Sequence, residues 1–467
     1  PPATGTLQGY TVPSNYKGPL PSGVTKLSTD TGLDITGQNT WNPRLGFAWQ
    51  LPHTDRMVLR GGYGFYHQRT TGQPFIQLLT APPFALLNIL VGPPAAALTL
   101  ASPFPPAATL PQFAPYSPTT QLSLTIIDQK LRPPTIQHYS MGLQTKLMRD
   151  LVLDVSYTGA RDTHLLRVRS INQASFATPS NPIRGITTDT VANIAQRVPI
   201  EGFTSSGLTD IEPSGAAWYN ALDVSLDKRF SHGLQFLASY TYARLLSTDS
   251  FASNGANGGS ATGDQNNPQQ RYGPDAFIRD QRFVLSGVYA FPSPKEPRSF
   301  LGETLGGWQV GTVTTIQTGQ RLTLTETNAN NIFGITSDRA QLSPSCTYPQ
   351  LVNSGSLENN LNSFFNKSCF PNSFPIIGAD GKGTTFGNSG IGIVRGPGQK
   401  NVDFSVIKRF ALPSERMHLD FRAEFFNFAN HPNFSNPTLQ ENSAAFGRIL
   451  TTAVNPRVVQ LALKFGF

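Results

Sequence analysis

A chain of 467 residues has room for two or three soluble domains or one large sheet, and a charged content of only 14%, against about 25% for a soluble domain, favours the sheet. No run of about 18 apolar residues is uninterrupted, so a membrane-crossing helix is excluded. The net charge of +8 comes from Lys and Arg scattered along the chain rather than gathered in a patch, which argues against a nucleic-acid partner.

Residue 1 is proline and no basic stretch with an apolar core follows it, so any signal peptide is expected upstream and the chain is expected to be a piece of a longer one. Residues 1–41, rich in Gly, Thr, Pro and Ser, read as loop. The first strand is expected at 42–50, where Leu45, Phe47 and Trp49 alternate with Gly46 and Ala48. After a polar turn at 52–56, a second strand at 57–67 puts Met57, Leu59, Tyr63 and Phe65 on one face, with Gly61 interrupting that face as a bulge or bend. A proline-rich gap at 68–135 follows. Its apolar stretch 84–100, broken by Asn88, Gly92, Pro93 and Pro94, reads as a loop that either touches ligand or folds over a barrel mouth.

The plan then repeats. Tyr139, Met141 and Leu143 alternate with Ser140, Gly142 and Gln144; a turn at 148–150 leads into Leu151, Leu153, Val155 and Tyr157. A polar gap is expected at 161–215. The third hairpin carries Leu222, Val224 and Leu226, turns at Ser231-His232-Gly233, and returns through Phe236, Ala238, Tyr240 and Tyr242. A fourth uses 279–292 and 307–324 around a proline-containing turn, and its following loop, 325–399, holds both cysteines. The fifth pairs 400–411 with 416–429. Residues 457–467 end the chain: Val459, Leu461, Leu463, Phe465 and Phe467 alternate with Gln460, Ala462, Lys464 and Gly466.

A soluble sheet also alternates, but an apolar strand finishing on Phe467 with no polar tail is an aggregation-prone edge in water. In lipid the same strand is at home: about 9–11 tilted residues cross the hydrocarbon, apolar side out. Short and long connections alternate throughout, as periplasmic turns and extracellular loops do in outer-membrane barrels. The fold class is therefore all-β, an antiparallel up-and-down transmembrane β-barrel, with the C-terminus on the periplasmic, short-turn side. Five hairpins and a last strand give about eleven strands, and closed bacterial barrels have even numbers, so the barrel is expected to be partial.

Six stretches carry a family resemblance. Pro43-Arg44-Leu45-Gly46-Phe47-Ala48-Trp49, Arg60-Gly61-Gly62-Tyr63-Gly64, Ser156-Tyr157-Thr158-Gly159, Tyr219-Asn220-Ala221-Leu222, Arg395-Gly396-Pro397-Gly398 and Phe421-Arg422-Ala423-Glu424-Phe425-Phe426-Asn427-Phe428 resemble the barrel of TonB-dependent receptors, in the family's order. The nearest likeness is the Oar-like branch, whose members carry a carboxypeptidase-regulatory-like domain. The resemblance runs over 42–467 and implies the C-terminal half of a barrel of about 22 strands. It also implies a Gram-negative outer-membrane transporter that imports a scarce ligand with energy from the TonB complex. The plug, TonB box and regulatory domain through which such coupling runs are not in this sequence. The terminal Val459, Leu461, Leu463, Phe465 and Phe467 resemble the family's recognition signal for the outer-membrane insertion machinery.

Asp403, Asp420, Arg422 and Glu424 have the parity of the lumen and are candidates for solute contact; the plainer reading pairs them across strands or with a plug. Trp49, Tyr63, Tyr157, Tyr240 and Tyr242 have the outward parity of aromatic girdles that meet membrane lipid. With only Cys346 and Cys369, a metal-ligand pattern is absent and one disulfide in an oxidising compartment is the natural reading. No zincin, nucleophile-elbow or phosphate-loop pattern holds, so neither enzymatic activity nor a cofactor is expected. The rival reading is a structural or adhesive outer-membrane protein displaying its long loops.

Overall fold

The computed structural model describes residues 11–20, 24–28, 39–69, 121–128, 130–248, 262–292, 300–371, 373–412 and 417–467. Its main sheet has thirteen strands, of which eleven follow one another across it in sequence order. These are β1 (Arg44–Gln50), β2 (Met57–His67), β3 (Thr135–Met148), β4 (Leu151–Ser170), β5 (Phe203–Ser231), β6 (Leu234–Ser247), β7 (Gln281–Ala290), β8 (Trp308–Gln317), β9 (Gln399–Ala411), β10 (His418–Phe426) and β11 (Val458–Gly466). Each pairs antiparallel with the next, and among the described residues β1 and β11 are the open edges. The apolar stretch 84–100 lies outside the described residues.

Because directly opposed residues point to the same side of a sheet, the register sorts the side chains into two faces. One row runs Val310–Val406–Ala423–Leu461 and the row beside it Trp308–Lys408–Phe421–Leu463. Toward the other edge the same face continues through Leu226, Leu153, Leu143 and Leu59 to Trp49. It is apolar and open: Leu45, Leu461 and Leu463 are 77%, 66% and 70% exposed, values that only a non-aqueous surround makes favourable. The opposite face reads Asp227, Leu237, Ser286, Val313 and Asp403 across neighbouring strands.

Gly61 is not a bulge. The pairings of β2 with β1 and β3 run through it without a shift, and the ring of Phe47 lies where a Cβ would stand, 2.5 Å away. The gap in the apolar alternation is filled from the neighbouring strand. The β5–β6 turn is tight, with His232 and Gly233 both at positive φ, 50° and 77°, the geometry of a two-residue hairpin turn whose twist suits the strands.

Three expectations are corrected. The polar gap at 161–215 is strand at both ends: β4 is 20 residues and β5 29 residues long, far beyond the roughly ten that cross lipid, and they stay paired from Asp162–Ala217 to Ser170–Thr209 through two register shifts. Leu122–Ile127 adds a parallel strand beside them. Above the lipid both faces meet water or loops, so apolar alternation is no longer needed there. The strand expected at 307–324 ends at Gln317; Arg321–Leu322 pairs instead with Val394–Arg395, and the turn before β8 contains a helix, Phe300–Leu305. Within 1–41, Thr11–Val12 and Thr25–Lys26 pair in parallel rather than remaining loop.

The long connections pack into a cap with its own core. Leu322, Leu324, Ala340, Leu351, Phe365, Cys369, Phe370, Val394 and Phe446 are buried together. Phe446, from the loop before β11, stacks on Phe365 at 5.2 Å and meets Phe370 edge-on at 5.7 Å. Cys346 and Cys369 are joined by a disulfide at the margin of this core.

Candidate functional site: the polar face and its cap

On the polar face the four residues singled out from the sequence do two different things. Asp420 is nearly fully buried in a two-pronged pair with Arg409, Nε to Oδ1 2.8 Å and Nη2 to Oδ2 3.0 Å, so its charge is spent across the β9–β10 pair. Arg422 stands in the next row between Ile407 and Ala462. Asp403 accepts Asn401 Nδ2 at 2.9 Å and the Asn427 amide at 2.8 Å, holding the turn that follows β10. It also faces a concavity of about 670 Å³ together with Glu424, Asp227, Gln235, Ser286 and Ser405. Asp227 is thus a functional candidate that the sequence reading passed over, although its parity with Asp223 and Ser225 gave the signal.

Farther along this face Arg60 approaches Asp154 at 3.6 Å and Thr241 donates to Asp223 at 2.6 Å. The arrangement is a mixed-charge surface whose hollow sets three carboxylates among apolar side chains such as Leu237, Val288 and Val313, suited to hydrogen-bonding a solute or polypeptide.

Beyond the strand ends the cap is tied together by buried charge. Arg197 is fully buried and meets Asp189 at 2.8 Å, donates to Asn193 Oδ1 at 2.7 Å and to the carbonyl of Ser175 at 2.7 Å, and reaches the carbonyl of Ile332 at 2.6 Å. Two loops distant in sequence are thereby joined. Asp280, at the foot of β7, is gripped by Arg321 at 2.6 Å and by Arg395, two arginines that face each other across a strand pair and would otherwise repel. Arg339 donates to Gln270 Oε1 at 2.6 Å and to the carbonyls of Ser389 and Gly387.

One contact between loops brings two carboxyls together. Glu326 and Glu441 are both buried, where the loop before β11 runs beside Thr325–Thr327: the Glu441 amide donates to the Thr325 carbonyl at 2.8 Å, and the Thr325 amide to that of Leu439 at 3.1 Å. Burial first, then Glu441 and Asp338 beside it, push the Glu326 carboxyl up to about 9, and burial raises Glu441 as well. Near neutral pH the pair therefore keeps a proton. Asp210, on the outer reach of β5, is likewise raised to about 6 by burial and by Asp128 and Glu212.

The outward aromatic rows end in hydrogen bonds. Tyr139 and Tyr157 both donate to Asn220 Oδ1, at 2.9 and 2.5 Å, and Tyr63 donates to Gln137 at 3.0 Å. The apolar band so closes with phenols at its loop-side margin, as rings with one wet end do at a membrane surface.

A lipid-facing apolar band, short turns at one end and strand extensions with a loop cap at the other are now in place, and the family model for the outer membrane beta barrel domain matches residues 4–460. The chain belongs to the outer membrane β-barrel domain family. No curated protein sequence matches this barrel. Similar solved structures include the outer membrane transporter YddB from Escherichia coli, at 10% identity and TM-score 0.46, covering 90% of this chain and 40% of that one. The siderophore receptor PirA from Acinetobacter baumannii matches at 12% identity and TM-score 0.41, covering 92% and 41%. The ferripyoverdine receptor of the Pseudomonas aeruginosa outer membrane, bound to ferripyoverdine, matches at 9% identity and TM-score 0.41, covering 91% and 33%. The chain spans about two fifths or less of the length of these structures.

Proposed function

We propose that this outer-membrane β-barrel is the C-terminal barrel portion of a TonB-dependent transporter that takes up a scarce ligand across the outer membrane of a Gram-negative bacterium, with its short turns and C-terminus in the periplasm. The observation that carries the reading is the hollow in which Asp227, Asp403 and Glu424 stand among Leu237, Val288 and Val313 on the sheet face opposite the lipid-facing one, in a sheet whose long loops are clamped to one another. Loops that serve only display have no need of a common buried core, whereas loops that capture a solute above a polar channel gain from being ordered. The resemblance motifs support the same family: Phe47 covers Gly61, and Tyr157 reaches Asn220, so four of the six meet in two contacts on the outer face. Lipid, the insertion machinery and, through regions outside this sequence, the TonB complex are the partners this reading implies.

The test is uptake by cells with and without the gene, using radiolabelled iron chelates, corrinoids and oligosaccharides, energised or treated with a protonophore. Loss of uptake of one class, and its collapse with the proton gradient, is the expected result. Uptake indifferent to the gradient points to a passive pore, and unchanged uptake with lost cell adhesion points to the display function.

A further inference from the structure

Lys408 breaks the apolar outer face. It stands in the row Trp308–Lys408–Phe421–Leu463, where its neighbours turn toward lipid, yet its side chain is only 3% exposed. A cation in such a row needs partners, since an unpaired ammonium at a lipid surface is strongly disfavoured. Its partners come from the connection between β7 and β8. The helix Phe300–Leu305 ends with its carbonyls at the lysine: Nζ donates to the carbonyls of Gly306 and Thr304, the latter at 3.4 Å. The Lys408 ammonium also lies 5.3 Å from the ring centres of both Trp308 and Phe410. Trp308 joins the same junction, donating Nε1 to the Thr304 carbonyl at 2.8 Å.

These bonds fix where the helix is. Lys408 and Trp308 both lie on the outer face, so a helix end held by both lies against the outer side of the sheet rather than across the opening enclosed by it. There it continues the lipid-facing band. Phe291 follows Tyr289 along the outer parity and packs against it edge-on at 5.0 Å. On the helix, Phe300 is 81% exposed and Leu305 60% exposed, and Phe410 beside Lys408 is exposed as well. Phe291, whose amide donates to the Trp308 carbonyl at 2.9 Å, thus forms with Trp308 and Phe410 an apolar patch around Lys408, and the helix held there carries the exposed Phe300 and Leu305.

We propose that the helix Phe300–Leu305 is a membrane-surface anchor, its Phe300 and Leu305 side chains inserted at the headgroup–acyl boundary of the phospholipid leaflet on the short-turn side. Lys408 is the residue that positions it. The argument for lipid over a protein partner is continuity: the patch extends a surface that already faces the bilayer, and it carries Trp308, a ring type that favours headgroup depth. The carbonyl end of the helix attracts the ammonium and so offsets the only charge in the row.

The experiment places a single fluorophore on the helix. In the barrel protein with Trp41, Trp49 and Trp218 replaced by phenylalanine and Trp308 kept, its emission subtracted as a constant background, Phe300→Trp and, separately, Leu305→Trp are reconstituted into phosphatidylglycerol–phosphatidylcholine vesicles, with and without lipids brominated near the headgroup end of the chains. Blue-shifted emission, quenching by brominated lipid and shielding from acrylamide are expected at both positions. Lys408→Met should lower the brominated-lipid quenching at position 300 about twofold, because the helix loses its tether. Heat-modified gel mobility selects the folded fraction in every variant. Probes quenched by acrylamide as fully as a free indole, and untouched by brominated lipid, overturn the proposal. So does shielding that appears only when periplasmic extract is added, which would make the patch a protein-binding surface.

Discussion

The phenol ring of Tyr139 covers Gly159, its partner on the next strand, so closely that a Cβ on Gly159 would stand 2.0 Å from the ring. The outer face of β3 and β4 is thus levelled by one large and one absent side chain, and the same device sets Phe47 over Gly61. Gly159→Ala should destabilise the barrel by about 1–3 kcal/mol, the usual range for overpacking. Gly46→Ala, whose Cβ would meet nothing nearer than the Gly61 carbonyl at 3.6 Å, should be close to neutral. Denaturant titration of both variants refolded into vesicles checks the pair, and equal losses would refute the packing argument.

Parity on β11 gives a second expectation. Arginine at Leu461 or Leu463, which are open to the surround, should cost about 2–4 kcal/mol near the middle of the bilayer. Arginine at Gln460 or Ala462, on the polar side with Glu424 and Arg422, should be tolerated better. Deleting Phe467 should reduce insertion in cells, read as loss of heat-modifiable protein from outer-membrane fractions.

The disulfide between Cys346 and Cys369 closes a sequence separation of 23, for which chain entropy accounts for roughly 3 kcal/mol against the open loop. Paired Cys346→Ser and Cys369→Ser should loosen the cap while leaving the strands in place. Proteolysis confined to 318–398, with the barrel fragment protected, is the expected pattern. Alkylation of unreduced protein should add no label.

The carboxyl pair makes the cap sensitive to pH in a definite direction. Glu326 has its proton affinity raised from an ordinary 4.5 to about 9 in the folded protein, so the native state binds the extra proton. Its contribution is fully present below about 4.5 and is lost as pH rises toward and through about 9. Amide exchange at Thr325 and Glu441, corrected for intrinsic rates, should therefore speed up on going from pH 5 to pH 9 by more than at amides elsewhere in the cap. Glu326→Gln, which hydrogen-bonds without titrating, should flatten that difference; an unchanged slope would show that the pair does not link the loops.

Within the bilayer the sequence was informative because lipid demands alternation. The strand 57–67 coincides with β2, and Leu461 and Gln460 lie on opposite faces as their parity requires. Above the bilayer that demand lapses, which is why β4 to Ser170 and β5 from Phe203 were hidden in polar composition. Tertiary polar contacts were equally silent. Nothing near Asp280 in sequence announces Arg321 or Arg395, and Glu441 meets Glu326 only because Thr325 pairs with the loop before β11. Of the four polar-face candidates, Asp420 is spent on Arg409, while Asp403 and Glu424 share their hollow with Asp227.

The Arg197 cluster carries a kinetic implication. One guanidinium holds Asp189, Asn193, Ser175 and Ile332, and the Ala174 amide donates to the Phe333 carbonyl at 3.1 Å, so releasing the segment around Ser175 from that around Ile332 breaks both links and leaves buried polar groups unsatisfied. Small independent excursions of these loops are thereby suppressed in favour of a single concerted one. Amides in both segments should then share one opening free energy in native-state exchange, and a solute waiting above the sheet would meet a barrier crossed seldom and all at once.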